Sequence, residues 1–102
     1  MDLAEFYLNQ EKPGELITPE IEEETIIEQI YHVILFNDNI HSFDEVIIQL
    51  IKAINCSFEK ARSLAFEVHV KGKANVFSGS LADCLKVSSI LEEIELNTQI
   101  VS

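Results

Sequence analysis

A chain of 102 residues has room for one compact core, and a hydrophobic fraction of 47% is enough to fill it. Eighteen acidic residues against seven basic ones leave a net charge of −11. That balance excludes nucleic acid and anionic membrane surfaces as natural partners, because both would repel the chain, and it favours a protein partner with a neutral or basic surface.

The acidic charge is uneven. Residues 1–29 hold nine acidic residues against Lys12 alone, a net −8, whereas residues 30–102 hold nine acids and six bases, a net −3. Pro13-Gly14, Pro19 and the run Glu22-Glu23-Glu24 mark residues 1–29 as a flexible acidic arm, since closely spaced like charges resist compaction and Pro-Gly interrupts helices. Within it, Leu3, Phe6, Tyr7 and Leu8 are the residues able to form a short docking turn. The folded domain is expected over residues 30–102.

Tyr31-His32-Val33-Ile34-Leu35-Phe36 is β-branched and aromatic and ends at Asn37-Asp38-Asn39, the pattern of a buried strand running into a turn. Ser42 with Glu45 three residues on has capping-box spacing, and Val46, Ile47, Leu50, Ile51 and Ile54 form one helical stripe that ends near Asn55. Ser57 then caps a second helix with Ala61, Leu64, Ala65 and Val68 inside, Lys60 and Arg62 outside, and Gly72 at its close. Residues 74–79 read as a strand. Leu81, Cys84, Leu85, Ser88 and Leu91 form a third helical stripe behind the cap Ser80, and residues 94–101 alternate as a last strand. The order β-α-α-β-α-β predicts an α+β fold, a three-stranded antiparallel sheet with three helices packed on it.

Common catalytic signatures are missing: there is no P-loop, GxGxxG, GxSxG or HExxH. His32, His41 and His69 match no zinc spacing, and Cys56 and Cys84 form no CxxC, so neither a metal nor another cofactor is expected and the cysteines read as free thiols. No secretory signal or membrane-length apolar run is visible, and a cytoplasmic protein is expected.

One constellation has a chemical match. Asn37 and Asp38 leave a buried strand beside a helix start, and His69 lies near the end of the second helix. If the two helices pack side by side, these groups share a mouth, with Asn39 and His41 beside it, above a floor of Phe43, Val46, Ala65 and Val68. A protein N-terminus presents an ammonium with three N–H donors next to one side chain, so several acceptors above an apolar cup would suit it. Ordinary turn chemistry for Asn-Asp-Asn and a helix-end role for His69 account for the same residues more simply, since such turns are common.

Leu35-Phe36-Asn37-Asp38, the helix from Phe43 and Val68-His69-Val70-Lys71-Gly72-Lys73-Ala74 together resemble the ClpS adaptor domain, over residues 29–101. The resemblance implies a non-catalytic adaptor that binds substrates whose first residue is a large hydrophobic, such as Leu, Phe, Tyr or Trp. It would hand them to a Clp AAA+ unfoldase of the ClpA or ClpC type. It assigns the substrate α-amino group to Asn37, Asp38 and His69, delivery to the flexible arm, and unfoldase docking to the vicinity of Lys86. Four positions depart from the family pattern: Asn39 replaces a usual Asp, His41 a usual Thr, Phe43 a Met at the pocket entrance and Ala65 a Met on the pocket wall. A substrate ammonium must be charged and His69 neutral, so affinity is expected to peak between about pH 6.5 and 8. Two other readings stay open. One is a divergent relative that docks an unfoldase without reading N-termini. The other is a general interaction module, since the element order also resembles the C-terminal domain of the ribosomal stalk protein.

Overall fold

The computed structural model describes residues 29–102; the arm expected over residues 1–29 lies, apart from Gln29, outside the described residues. The elements run β1 (Tyr31–Phe36), α1 (Phe43–Ile54), α2 (Phe58–Lys71), β2 (Lys73–Gly79), α3 (Leu81–Leu91), a 3-10 turn (Glu92–Ile94) and β3 (Thr98–Val101). The three strands form one antiparallel sheet in the order β2-β1-β3.

β1 is central because it can satisfy both neighbours. It pairs from Tyr31↔Gly79 to Phe36↔Lys73 on one side and from His32↔Val101 to Leu35↔Thr98 on the other. Its near-continuous apolarity follows from this position: Val33 and Leu35 are wholly buried beneath the helices, and the alternate residues are half-buried. The register shifts between Val33 and Ile34, where Val76 of β2 is the unpaired extra residue of a bulge.

Each helix starts where its serine stands. The hydroxyls of Ser42, Ser57 and Ser80 accept from the backbone N–H groups of Glu45, Lys60 and Asp83, and Glu45 completes the capping box at α1. α2 ends at Gly72, whose φ of 88° requires a left-handed residue and whose N–H closes on the Val68 carbonyl. α2 and α3 make the main helical contacts with the sheet, and α1 packs on both of them. Leu50 of α1, Leu35 of β1 and Leu91 of α3 are fully buried at the centre. Buried Gln49 donates to the Ile90 carbonyl at 2.6 Å, and Lys52 pairs with Glu93 at 2.8 Å, so polar contacts also hold α1 to α3 and to the 3-10 turn that follows it.

Two expectations are corrected. The final strand does not begin at residue 94: residues 92–94 form the 3-10 turn, Glu95 takes a left-handed φ of 67°, and pairing starts only at Thr98. The stripe of α3 is Cys84, Val87, Ser88 and Leu91, while Leu81 and Leu85 are exposed. Both leucines lie on the side of α3 turned from the sheet. Cys84 is buried and Cys56 half-buried, and both are free.

Candidate functional site

The loop after β1 meets the C-terminal end of α2 through the backbone. The Phe36 N–H donates to the Asn97 carbonyl at 3.0 Å, and the Asn37 N–H donates to the Gly72 carbonyl at 2.9 Å. The second bond sets Asn37 beside the last turn of α2, where His69 lies one turn before Gly72. Side-by-side packing of α1 on α2 closes the third wall. The result is an open cavity of about 610 Å³ lined by Asn37, Asp38, Asn39, His41, Ser42, Phe43, Val46, Arg62, Ala65, Phe66, Val68 and His69. Every residue assigned to the mouth or floor from the sequence therefore borders one hollow.

Their environments differ. Ala65 and Val68 are buried and Val46 half-buried, forming an apolar wall, while Phe43 is 39% exposed and stands at the lip rather than in the floor. Asn37, Asn39 and His69 are exposed. Among the described residues, no hydrogen bond engages the Asn37 side-chain amide or the His69 ring, which leaves their acceptors open to a ligand.

Asp38 is already partly engaged. Its Oδ1 accepts the backbone N–H groups of Ile40 and His41, both at 3.0 Å, and its Oδ2 meets Nδ1 of His41 at 2.8 Å. The other ring nitrogen of His41, Nε2, lies 2.5 Å from the Ile94 carbonyl. His41 is thus a brace between the loop and the 3-10 turn. The His41 backbone N–H is the main cause that holds the Asp38 carboxyl below its ordinary value. The Asp38 hydrogen bond, reinforced by the Ile94 carbonyl, raises His41 above its ordinary value against the opposing effect of burial.

A pH dependence of stability follows from this pair. Asp38, lowered in the fold, stabilises it above its ordinary 3.8 and loses that contribution as pH falls through the lowered value. His41, raised in the fold, stabilises it fully below its ordinary 6.5 and loses that contribution as pH rises through the raised value. In urea denaturation, the stability difference between wild type and His41→Gln should be largest between 3.8 and 6.5 and shrink on either side. A difference that stays constant across this range and beyond would contradict the pairing.

Arg62 and Phe66 also border the cavity, although the sequence placed Arg62 simply on the outside of its helix. The available signal was spacing: residues 62, 65, 66 and 69 stand at i, i+3, i+4 and i+7 and share one face. Lys86 is exposed on α3. His32 does not border this cavity; its Nδ1 lies 2.7 Å from the Ser78 hydroxyl and 3.2 Å from the Asn75 amide. Among the described residues, no cluster of His, Cys, Asp or Glu is suited to a metal ion, and no helix is long and apolar enough to cross a membrane.

Comparison with known proteins places this geometry in context. Residues 27–99 match the family described as ATP-dependent Clp protease adaptor protein ClpS. The ATP-dependent Clp protease adapter protein ClpS of Treponema denticola is 43% identical over 56 residues, which make up 55% of each chain. The E3 ubiquitin-protein ligase UBR2 of Homo sapiens is 34% identical over 61 residues, 60% of this chain but only 4% of that protein. This chain therefore spans about half of one curated relative and a small part of the other. A solved structure of Agrobacterium tumefaciens ClpS2 bound to L-phenylalaninamide superposes with a TM-score of 0.68 at 18% identity, covering 72% of this chain and 96% of that one, a likeness of fold. The family consists of adaptors rather than enzymes. On the match over residues 27–99, this chain belongs to the ClpS adaptor family.

Proposed function

We propose that the cavity captures the free N-terminus of a substrate protein that begins with a large hydrophobic residue, and that the chain delivers this substrate to a Clp AAA+ unfoldase in the cytoplasm. One observation carries the reading: polar groups from two separate elements, Asn37 and Asp38 from the loop and His69 from α2, border a single hollow with an apolar wall. Its volume of about 610 Å³ lies within the range of roughly 300–1,000 Å³ common for ligand pockets.

The roles follow from the chemistry of the ligand. The ammonium donates three hydrogen bonds, for which the Asp38 carboxylate, the Asn37 amide oxygen and a neutral His69 nitrogen are the acceptors. The neighbouring side chain enters against Val46, Ala65 and Val68, with Phe43 at the lip. Asn39 contributes no charge, so Asp38 is the one carboxylate among the residues bordering the cavity. The L-phenylalaninamide bound by the Agrobacterium protein offers the same pairing of a free amine and an adjacent aromatic ring. The acidic arm and the exposed Lys86 of α3 are the proposed means of unfoldase engagement.

A second reading, an adaptor that docks an unfoldase but no longer reads N-termini, is favoured by one observation: Asp38 already accepts three hydrogen bonds from its own loop. Calorimetry with peptides that differ only in their first residue separates the two. Burial of a large apolar side chain is worth about 1.5–3 kcal/mol, so Phe- or Leu-starting peptides should bind roughly 10- to 100-fold tighter than an Ala-starting one. Equal affinities for the Phe and Ala peptides would leave only the second reading.

A further inference from the structure

His41 stands at the junction of the loop and the 3-10 turn with its side chain only 9% exposed, and its two ring nitrogens both face acceptors. Nδ1 meets the Asp38 carboxylate and Nε2 meets the Ile94 carbonyl; neither partner has a proton to give. A neutral imidazole has one N–H and one bare nitrogen, so it satisfies one of these contacts and sets two lone pairs against each other at the other. The doubly protonated ring satisfies both.

We propose that His41 is a positioning residue of the amine-binding rim, a charged imidazole that bridges the Asp38 carboxylate to the Ile94 carbonyl and holds the carboxylate where a substrate ammonium meets it. The proposal rests on the reading of the cavity as an N-terminus site. Its geometric content is the division of labour at Asp38. Oδ1 is fixed by two backbone N–H groups and one direction of Oδ2 by His41, which leaves the remaining Oδ2 lone pair for an incoming N–H. Without the brace, only the two backbone N–H groups on Oδ1 orient the carboxylate of a 19% exposed side chain, and the loop loses its side-chain tie to an element 53 residues away.

The charges around the ring agree with a cation. Asp38 faces it from the loop, Glu45 lies near it in the first turn of α1, and the Ile94 carbonyl faces it from the 3-10 turn, just before Glu95. The N-terminus of α1 opposes a cation through its dipole, but Asp44 and Glu45 offset it there. Arg62 and His69 of α2 border the same cavity on its other wall. With Asp38 paired in this way, His41 offsets part of the carboxylate's charge at the mouth, and the free Oδ2 lone pair gives the ammonium contact its direction.

The test joins a ligand-free measurement to a binding one on the full chain. In 15N NMR of the imidazoles, both nitrogens of His41 should be protonated near neutral pH, and His41 should lose its proton above its ordinary 6.5. For a Phe-starting peptide, His41→Ala should weaken binding about tenfold, the order expected for one charge-assisted hydrogen bond. His41→Lys, with three donors and a lasting charge, should recover most of that loss and carry the affinity to higher pH than wild type. His41 present as a single neutral tautomer near neutral pH, with its proton lost at or below 6.5, would overturn the proposal, as would His41→Ala binding the peptide as well as wild type does. If His41 is doubly protonated but the wild type binds no peptide by its N-terminus, the cavity reading has failed and the positioning role falls with it, leaving only a structural bridge.

Discussion

Asp38→Ala should abolish most binding of N-terminal peptides, with affinity lowered about 100-fold. A hydrogen bond to a charged group is worth about 1.5–3 kcal/mol, and this substitution removes both the bond and the carboxylate that balances the ammonium. It also strips the Ile40 and His41 N–H groups and the His41 ring of their acceptor, so the loop should loosen and the fold should lose about 1 kcal/mol. Asp38→Asn separates the two consequences. Its amide oxygen can still accept from the two backbone N–H groups, so thermal stability should stay nearer wild type while peptide affinity falls with the lost charge. Calorimetry and thermal melts on both variants check this. Asp38→Asn with wild-type affinity would remove the carboxylate from the recognition scheme.

Filling the cavity from its wall should be equally damaging to binding and milder for the fold. Ala65 is 3% exposed, lies on the inner face of α2 and borders the hollow opposite α1. In Ala65→Phe the ring has open space to enter, so the helix is not forced apart as it would be by the same change at wholly buried Ala61. The ring then occupies the volume proposed for the first side chain of the substrate. Affinity for Phe- and Leu-starting peptides should fall roughly 10- to 100-fold, the worth of burying one large apolar side chain. Peptides that begin with Ala, which do not use that volume, should change little. Equal losses for Ala and Phe peptides would indicate general damage rather than a filled pocket.

Local chemistry made much of this fold legible. Ser42, Ser57 and Ser80 announce helix starts because a short hydroxyl that accepts a backbone N–H is a contact made within one turn, and Gly72 announces an end for a similarly local reason. The last strand was not legible. Ile94, Leu96, Thr98 and Ile100 alternate well enough with their neighbours to suggest a strand, but its true length is set by the partner: the Asn97 carbonyl takes the Phe36 N–H at the end of β1, and residues 92–95 turn instead. Leu81 and Leu85 fit a helical period as well as Val87 does, and only the position of the sheet decides which face of α3 is covered.

The same distinction applies to the cavity. Asn37, Asp38 and His69 could be joined across 31 residues because a strand end and a helix end are places where polar groups gather, and the family resemblance linked them. Arg62 and Phe66 were hidden by their exposure, since a residue on the outer flank of a helix can still border an open mouth. The brace formed by His41 was hidden altogether. Its partner is a main-chain carbonyl in the 3-10 turn, and nothing in the residue type of Ile94 signals that its oxygen faces an imidazole.

The central claim is that a charged N-terminus and its first side chain enter one hollow together, and backbone NMR with two small ligands tests it most directly. Phenylalaninamide should shift Asn37, Asp38, Val46, Ala65, Val68 and His69 as one saturable set, while the N-acetylated compound, which keeps the ring but lacks the ammonium, should leave them nearly unmoved. Equal shifts from both ligands, or shifts gathered on another face of the domain, would contradict the account.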